Sequence, residues 1–230
     1  LTETIHVQPT ADLAERVLLP GDPGRALSLA QVLLTEPKMF NHNRGLWGYT
    51  GAAADGEPLT IQSTGMGGPS AAIVVAELIE LGARRFIRVG TCGAVAPSLA
   101  LGDLVIATHA FAEDGTSRAL GAGDSIASSG ELSESLVRTA GARAVAGPVV
   151  SSDLFYDGPA DRERRWLELG ALAVEMETST LFALAARRGI AAGSLLAVSD
   201  VLLPARVRIE PDELADAERL MGEIAAAALR

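Results

Sequence analysis

An arginine, two glycines and a hydroxyl stand close together in Phe86-Ile87-Arg88-Val89-Gly90-Thr91-Cys92-Gly93-Ala94. The apolar start reads as a short buried strand that ends at glycine. A charge such as Arg88 is costly to bury unless something pairs with it. Gly90 and Gly93 allow a sharp turn and a close approach of backbone to ligand, and Thr91 adds a hydroxyl. Together they describe an anion seat at the carboxyl end of a strand, where open α/β sheets bind ligands. An ordinary strand-to-loop turn with a surface arginine fits the same residues. A second arginine, Arg25, follows Pro20-Gly21-Asp22-Pro23-Gly24. Asp22 suits an N-cap and Pro23 the first helical position, so free N–H groups would favour an anion here. A cation in that turn opposes the helix dipole, which fits an Arg25 that faces something negative. Glu175 and Glu177 lie two apart in Ala173-Val174-Glu175-Met176-Glu177-Thr178. In an extended segment they share one face; at a helix start they are acids that suit the dipole. Asp200 stands at the carboxyl end of a last apolar strand, Gly193 to Ser199.

These residues need elements to hold them. Val17-Leu18-Leu19 reads as a strand leading into the Gly21 turn and a helix to about Val32. Phe40 to Gly51 reads as a glycine-punctuated loop carrying Arg44 into a strand. Asp55-Gly56, between Tyr49–Ala53 and Leu59–Ser63, is a hairpin signal. Gly65-Met66-Gly67-Gly68-Pro69-Ser70 then offers close backbone approach, with Met66 as an adaptable apolar surface. The following helix, Ala71 to Leu81, is apolar on most faces, which predicts burial. Asp103 to Ala112 and Ala144 to Ser151 read as strands, Gly121 to Gly130 as a mobile loop, and Ser152 to Gly158 as a loop. Helices are expected over Glu131–Ala142, Asp161–Leu169, from Thr178 to about Arg188, and over Pro211–Leu229, with a loop over Pro204–Ile209. Strands alternating with helices argue one α/β domain with a central sheet. His6, beside Ile5 and Val7, reads by itself as a solvated residue near a terminus.

Composition bounds the chemistry. The 230 residues can bury a sizeable core. A hydrophobic fraction of 48% with 21% charged residues is globular rather than disordered. The net charge of −10 argues against a general nucleic-acid binder. Lys38 is the only lysine, so Schiff-base chemistry and a Walker A loop have almost no candidate. Positive charge is nearly all arginine, the better fork for phosphate or carboxylate. The single cysteine, Cys92, leaves no intrachain disulfide and fits a reducing cytoplasm. No stretch reads as a signal peptide, and no apolar run is long enough to span a bilayer. No metal-ligand cluster is visible.

The motifs, taken in order, resemble the nucleoside phosphorylase-I family, specifically the bacterial hexameric purine nucleoside phosphorylases. They are Pro-Gly-Asp-Pro-Gly-Arg (20–25), Arg-Gly-Leu-Trp-Gly-Tyr-Thr-Gly (44–51), Gly-Met-Gly-Gly-Pro-Ser (65–70), Arg-Val-Gly-Thr-Cys-Gly-Ala (88–94), Ser-Asp-Leu-Phe-Tyr (152–156), Val-Glu-Met-Glu-Thr (174–178) and Val-Ser-Asp (198–200). Any one is weak; the ordered set is specific. The resemblance implies one domain over residues 1–230, an α/β fold with a central mixed β-sheet, partly barrel-like, flanked by helices. It implies that Gly21, Arg25, Arg88 and Thr91 bind phosphate, with Arg44 arriving from a neighbouring subunit. Three guanidiniums suit that anion because each offers a charge-assisted fork. Glu177 would take the ribose 2′ and 3′ hydroxyls, Met66 and Met176 would pack on the sugar, and His6 of the neighbour would reach the 5′-hydroxyl. Cys92, Gly93, Phe155, Val174 and Glu175 would surround the base, and Asp200 would be the general acid at purine N7.

The implied reaction is phosphorolysis of purine nucleosides in the cytoplasm. Inorganic phosphate is a co-substrate, with no cofactor, metal, nucleic acid or membrane involved. The implied assembly is a homohexamer, a trimer of dimers, in which His6 and Arg44 complete neighbouring sites. Thr91 stands where many relatives carry serine, and the hydroxyl is kept. Arg206, Arg208 and Arg219 all follow Asp200, and spacing alone selects none of them as its partner. The nearest alternative is uridine phosphorylase on the same fold, although the insertion whose Gln and Arg read uracil is absent between Phe155 and Val174. A hydrolytic nucleosidase and a non-catalytic nucleotide-binding module are the further alternatives.

Overall fold

Neighbouring apolar residues on the central strands point to opposite faces of one sheet, as a two-residue side-chain period requires. The computed structural model describes residues 4–230. In chain order the elements are β1 (Arg16–Leu19), α1 (Pro23–Leu33), β2 (Thr35–Asn41), β3 (Gly48–Ala52), β4 (Pro58–Gln62), α2 (Gly68–Glu80), β5 (Arg85–Ala94), β6 (Leu104–Glu113), α3 (Gly115–Ala119), β7 (Ser125–Ala127), α4 (Gly130–Ala140), β8 (Ala144–Ser152), α5 (Arg162–Glu168), β9 (Ala173–Glu175), α6 (Thr178–Arg188), β10 (Ala191–Val201), β11 (Val207–Arg208) and α7 (Pro211–Ala228). On one face Val17, Phe86 and Leu196 pack with Val75 and Leu78 of α2 and Phe182 of α6. On the other Leu18, Ile87 and Leu195 pack with Leu29 of α1, Leu136 of α4 and Met221 of α7.

The strands form one mixed sheet in the order β11-β10-β6-β8-β9-β5-β1-β4-β3-β2. An additional parallel pairing of β10 with β5 closes β5, β10, β6, β8 and β9 into a five-stranded ring. The expected single α/β domain with a partly barrel-like mixed sheet is therefore what the chain forms. No helix among the described residues is long and apolar enough to cross a membrane.

Five local expectations are corrected. The strand through Arg88 does not turn at Gly90; β5 runs on to Ala94, paired with β10 as far as Val201. Gly90 is required for space instead, because a Cβ there would lie 2.6 Å from Nη2 of Arg88. The Gly121–Gly130 loop contains β7, which pairs with β6 through His109 and Phe111. Pro204–Ile209 contains β11, antiparallel to the end of β10. Thr35–Asn41 adds an unforeseen strand against β3. Finally, α2 leaves Ile73 exposed, whereas α6 is buried along Thr178–Ala185.

The Asp55-Gly56 turn joins β3 to β4 as its sequence predicts. Arg16 of β1 reaches across to it, donating to both Asp55 oxygens at 2.7 and 2.6 Å and to the Pro58 and Glu57 carbonyls. The Arg16 hydrogen bonds hold the Asp55 carboxyl well below the ordinary carboxylate range, against the opposing effect of burial. A carboxyl held low in the folded chain contributes stability above its unfolded pKa of about 3.9 and loses it as pH falls towards the folded value. Asp55→Asn is therefore expected to lower the urea midpoint at pH 7. The gap to wild type should close progressively below about pH 4; a gap constant from pH 7 to pH 3 would contradict this assignment.

Candidate active site

The carboxyl ends of β1, β5, β9 and β10 open on one cavity of about 610 Å³. Gly21 follows β1 there, and Arg25 stands in the first turn of α1, whose cap is Asp22 accepting the Arg25 N–H at 2.6 Å. A Cβ at Gly21 would meet the Gly65 carbonyl oxygen at 3.2 Å and Nη1 of Arg88 at 4.0 Å, so its missing side chain leaves room beside that guanidinium. Arg88, Thr91, Cys92 and Gly93 of β5 line the floor. Val174, Glu175, Met176 and Glu177 form one wall; Met66 and Phe155 stand at the rim, 86% and 45% exposed.

Arg88 is buried, and two carboxylates meet it. Its Nε donates to Glu175 at 2.8 Å and its Nη2 lies 2.5 Å from Glu177. Burial works against its positive charge, but Glu177 and Glu175 outweigh that and raise its pKa. The alternation read from the sequence is realised on the extended side: Ala173–Glu175 is β9, paired with β5 at Gly93 and Ala94. Glu175 is saturated within the chain. It accepts from Arg88, the Ser151 hydroxyl, and the N–H groups of Glu177 and Thr178. Glu177 accepts the Gly67 N–H at 2.5 Å, and burial pushes its carboxyl up against the pull of Arg88.

Asp200 sits opposite Gly93 because β10 bulges between Val198 and Asp200. A bulge of this kind re-aims a side chain next to a site. Ser199 donates to Asp200 Oδ2 at 2.8 Å, and Arg206 donates through Nε to Oδ1 at 2.8 Å. Arg206 also lies 4.7 Å above the Phe155 ring. The structure thus selects Arg206 among the three candidates. The short return from β10 to β11 delivers it, a turn that residue spacing alone does not reveal. The sequence also gave no signal for Arg162, which donates to the Leu154 and Phe155 carbonyls at 2.7 and 3.1 Å and so holds the Phe155 loop.

His6 and Arg44 do not line this chain's cavity. His6 lies against the residue that precedes Arg44: Asn43 donates to the His6 carbonyl at 3.0 Å. His6 Nδ1 lies 2.7 Å from Glu77 of α2, and Arg44 is exposed with φ 58. Arg25, meanwhile, donates through Nε to Glu218 of α7 at 2.7 Å, the negative partner its unfavourable helix position called for. Among the described residues no group of three His, Cys, Asp or Glu side chains is placed to hold a metal ion.

Known proteins of one family are similar to this chain. A family model described as the phosphorylase superfamily matches residues 15–230. A purine nucleoside phosphorylase DeoD-type of Geobacillus kaustophilus is 40% identical over 209 residues, covering 87% of each chain. One from Caldanaerobacter subterraneus subsp. tengcongensis is 39% identical over 87% of this chain and 89% of its own. Another from Alkaliphilus metalliredigens is 37% identical over 87% and 88%. The chain belongs to the phosphorylase superfamily.

Cys92 borders the cavity but is buried, its Sγ 3.7 Å from the Ala197 carbonyl oxygen. Burial pushes its thiol far above the ordinary range, and Glu175 adds to the effect. Thiols react as thiolates. Iodoacetamide at pH 8 is expected to leave Cys92 intact in the native protein and to alkylate it in urea, as read by intact mass. Rapid native alkylation would contradict the buried assignment.

Proposed function

We propose that this chain catalyses the phosphorolysis of purine nucleosides and 2′-deoxynucleosides, releasing the free base and the pentose 1-phosphate. The observation that carries the reading is the facing of an acid, Asp200, and two guanidiniums, Arg25 and Arg88, across one cavity. Cleaving the N-glycosidic bond leaves positive charge on the sugar and negative charge on the leaving purine. Phosphate seated by Gly21, Arg25, Arg88 and Thr91 stabilises the oxocarbenium-like sugar and attacks C1′. Asp200 gives its proton to purine N7, and Arg206 then stabilises the carboxylate left behind. Glu177 takes the ribose hydroxyls, Met66 and Met176 pack on the sugar, and Cys92, Gly93, Phe155 and Val174 enclose the base. Glu175 serves this pocket by orienting Arg88.

The same cavity argues for an assembly. Arg25 and Arg88 already face three carboxylates, Glu218, Glu175 and Glu177. Two positive charges against three negative ones make a poor seat for a phosphate dianion. A further cation is needed, and Arg44 of a second copy supplies it, with His6 of that copy reaching the 5′-hydroxyl. Ile5 and Trp47, close to His6 and Arg44 in the chain, are exposed apolar residues, as an interface between copies requires. The proposed particle is a homohexamer of the cytoplasm.

Incubation with inosine, adenosine, guanosine and uridine, with and without phosphate, tests this. Purine release that depends on phosphate is expected. Cleavage indifferent to phosphate would make the protein a hydrolase, and uridine as sole substrate would move it to the pyrimidine branch. Asp200→Ala is expected to lower kcat by roughly 10²–10⁴-fold while phosphate binding persists. Light scattering should give six subunits; a monomer would contradict the shared site.

A further inference from the structure

Asp114 does not line the cavity and has no part in the chemistry above. It is nevertheless 1% exposed, at the junction of β6 and α3. Its carboxylate accepts the Ser117 N–H at 2.7 Å and the Ser117 hydroxyl at 2.5 Å, both from α3. It also accepts the Ser179 hydroxyl and, at 3.1 Å, the Thr180 hydroxyl, both from the first turn of α6. None of these donors is a cation. Burying a carboxylate is costly, and four donors to the charged form offset that cost. The first turn of α6 carries no acidic residue of its own. An anion held against that end also complements the helix dipole.

The first turn of α6 is where the ribose wall is made. Glu177 is its cap, and the Thr178 N–H is held by Glu175 at 2.9 Å. Thr180 has a second neighbour besides Asp114. A Cβ at Gly68 would lie 2.7 Å from its Oγ1, so the Gly67-Gly68 loop rests directly on that hydroxyl. The Gly67 N–H in turn donates to Glu177. Thr116, one residue before Ser117 in α3, touches the same Gly68 position at 3.0 Å. Asp114 therefore ties together α3 and α6, the two helices between which the glycine loop is seated.

We propose that Asp114 is a positioning residue: it locks the first turn of α6 against the Gly67-Gly68 loop and thereby fixes the Glu177 carboxylate that receives the sugar hydroxyls. The last clause rests on the role given to Glu177 above; the locking itself does not. The ligand feature it serves is the vicinal diol of a ribose, so its loss falls on substrates that carry those hydroxyls.

The test uses Asp114→Asn and the milder Thr180→Val, which leaves three donors on Asp114. Amide hydrogen exchange in the full-length protein is the first reading. Exchange at Gly67 and Thr178 is expected to quicken at least about ten-fold, while Val89 in the sheet core keeps its protection. The second reading compares inosine with 2′,3′-dideoxyinosine. The ratio of their kcat/KM values is expected to fall about ten-fold, mainly through the KM of inosine. In a Glu177→Gln background Asp114→Asn should cost little further, because both act through one carboxylate. A folded variant with wild-type exchange at Gly67 and Thr178 would overturn the proposal. So would faster exchange with an unchanged substrate ratio in an active enzyme. If Asp114→Asn fails to fold, Thr180→Val decides by the same readings. If the wild-type protein cleaves no nucleoside in phosphate, the functional reading fails, while exchange still decides the locking of the loop.

Discussion

The structure depends on one buried ionic arrangement, Arg88 held between Glu175 and Glu177. The guanidinium is 6% exposed and the two carboxylates 1% and 7%. Such a group is expensive to remove from water, and losing Arg88 leaves two buried carboxylates with no cation between them, a defect of ~3–5 kcal/mol. The surrounding chain is shaped to prevent that. Gly90 provides the space into which the guanidinium folds, and β9 lies beside β5 so that Glu175 reaches it. Ser151 and the amides at the start of α6 occupy the remaining lone pairs of Glu175. The sheet edges, the helix start and the glycine loop meet at this point because each satisfies part of the same polar cluster.

That arrangement also gives a reason why the proposed anion site would be unfinished in one chain. Arg25 is matched by Glu218 and Arg88 by two acids, so neither guanidinium carries free charge into the cavity. A cavity whose guanidiniums are already paired is stable when empty, which a site full of unpaired arginines would not be. The proposed contribution of Arg44 from a second copy then does two things at once, supplying a cation that balances the third carboxylate and coupling catalysis to assembly. The left-handed backbone at Arg44 fits such a role, since a non-glycine residue there is costly and persists where its surroundings require it.

Much of this was legible in the sequence, and the failures have physical causes. Arg88, Glu175 and Asp200 stood out because charges amid apolar strand residues need partners. Arg25 stood out because it opposes the dipole of its own helix, and it does face a carboxylate. The glycines of β5 misled, because a glycine inside a strand reads as a turn unless the side chain filling its space is known. Here that filler is Arg88 itself, two residues back on the same face. The Asp200–Arg206 pair was hidden because it depends on how β10 returns as β11, a path set by tertiary packing. Asp114 drew no notice in sequence, where it was one acid in Glu113-Asp114-Gly115; only its four donors distinguish it.

The central claim is that each site is built from two copies of the chain. Complementation between Arg44→Ala and Asp200→Asn tests it most directly. Each variant alone lacks a residue from every site. Refolded together at equal amounts, they form some sites with Asp200 from one chain and Arg44 from the other. Roughly a quarter of wild-type phosphorolysis is then expected from random pairing across the interface. Activity no higher than the sum of the separate variants, in a mixed assembly shown to contain both, would contradict the account.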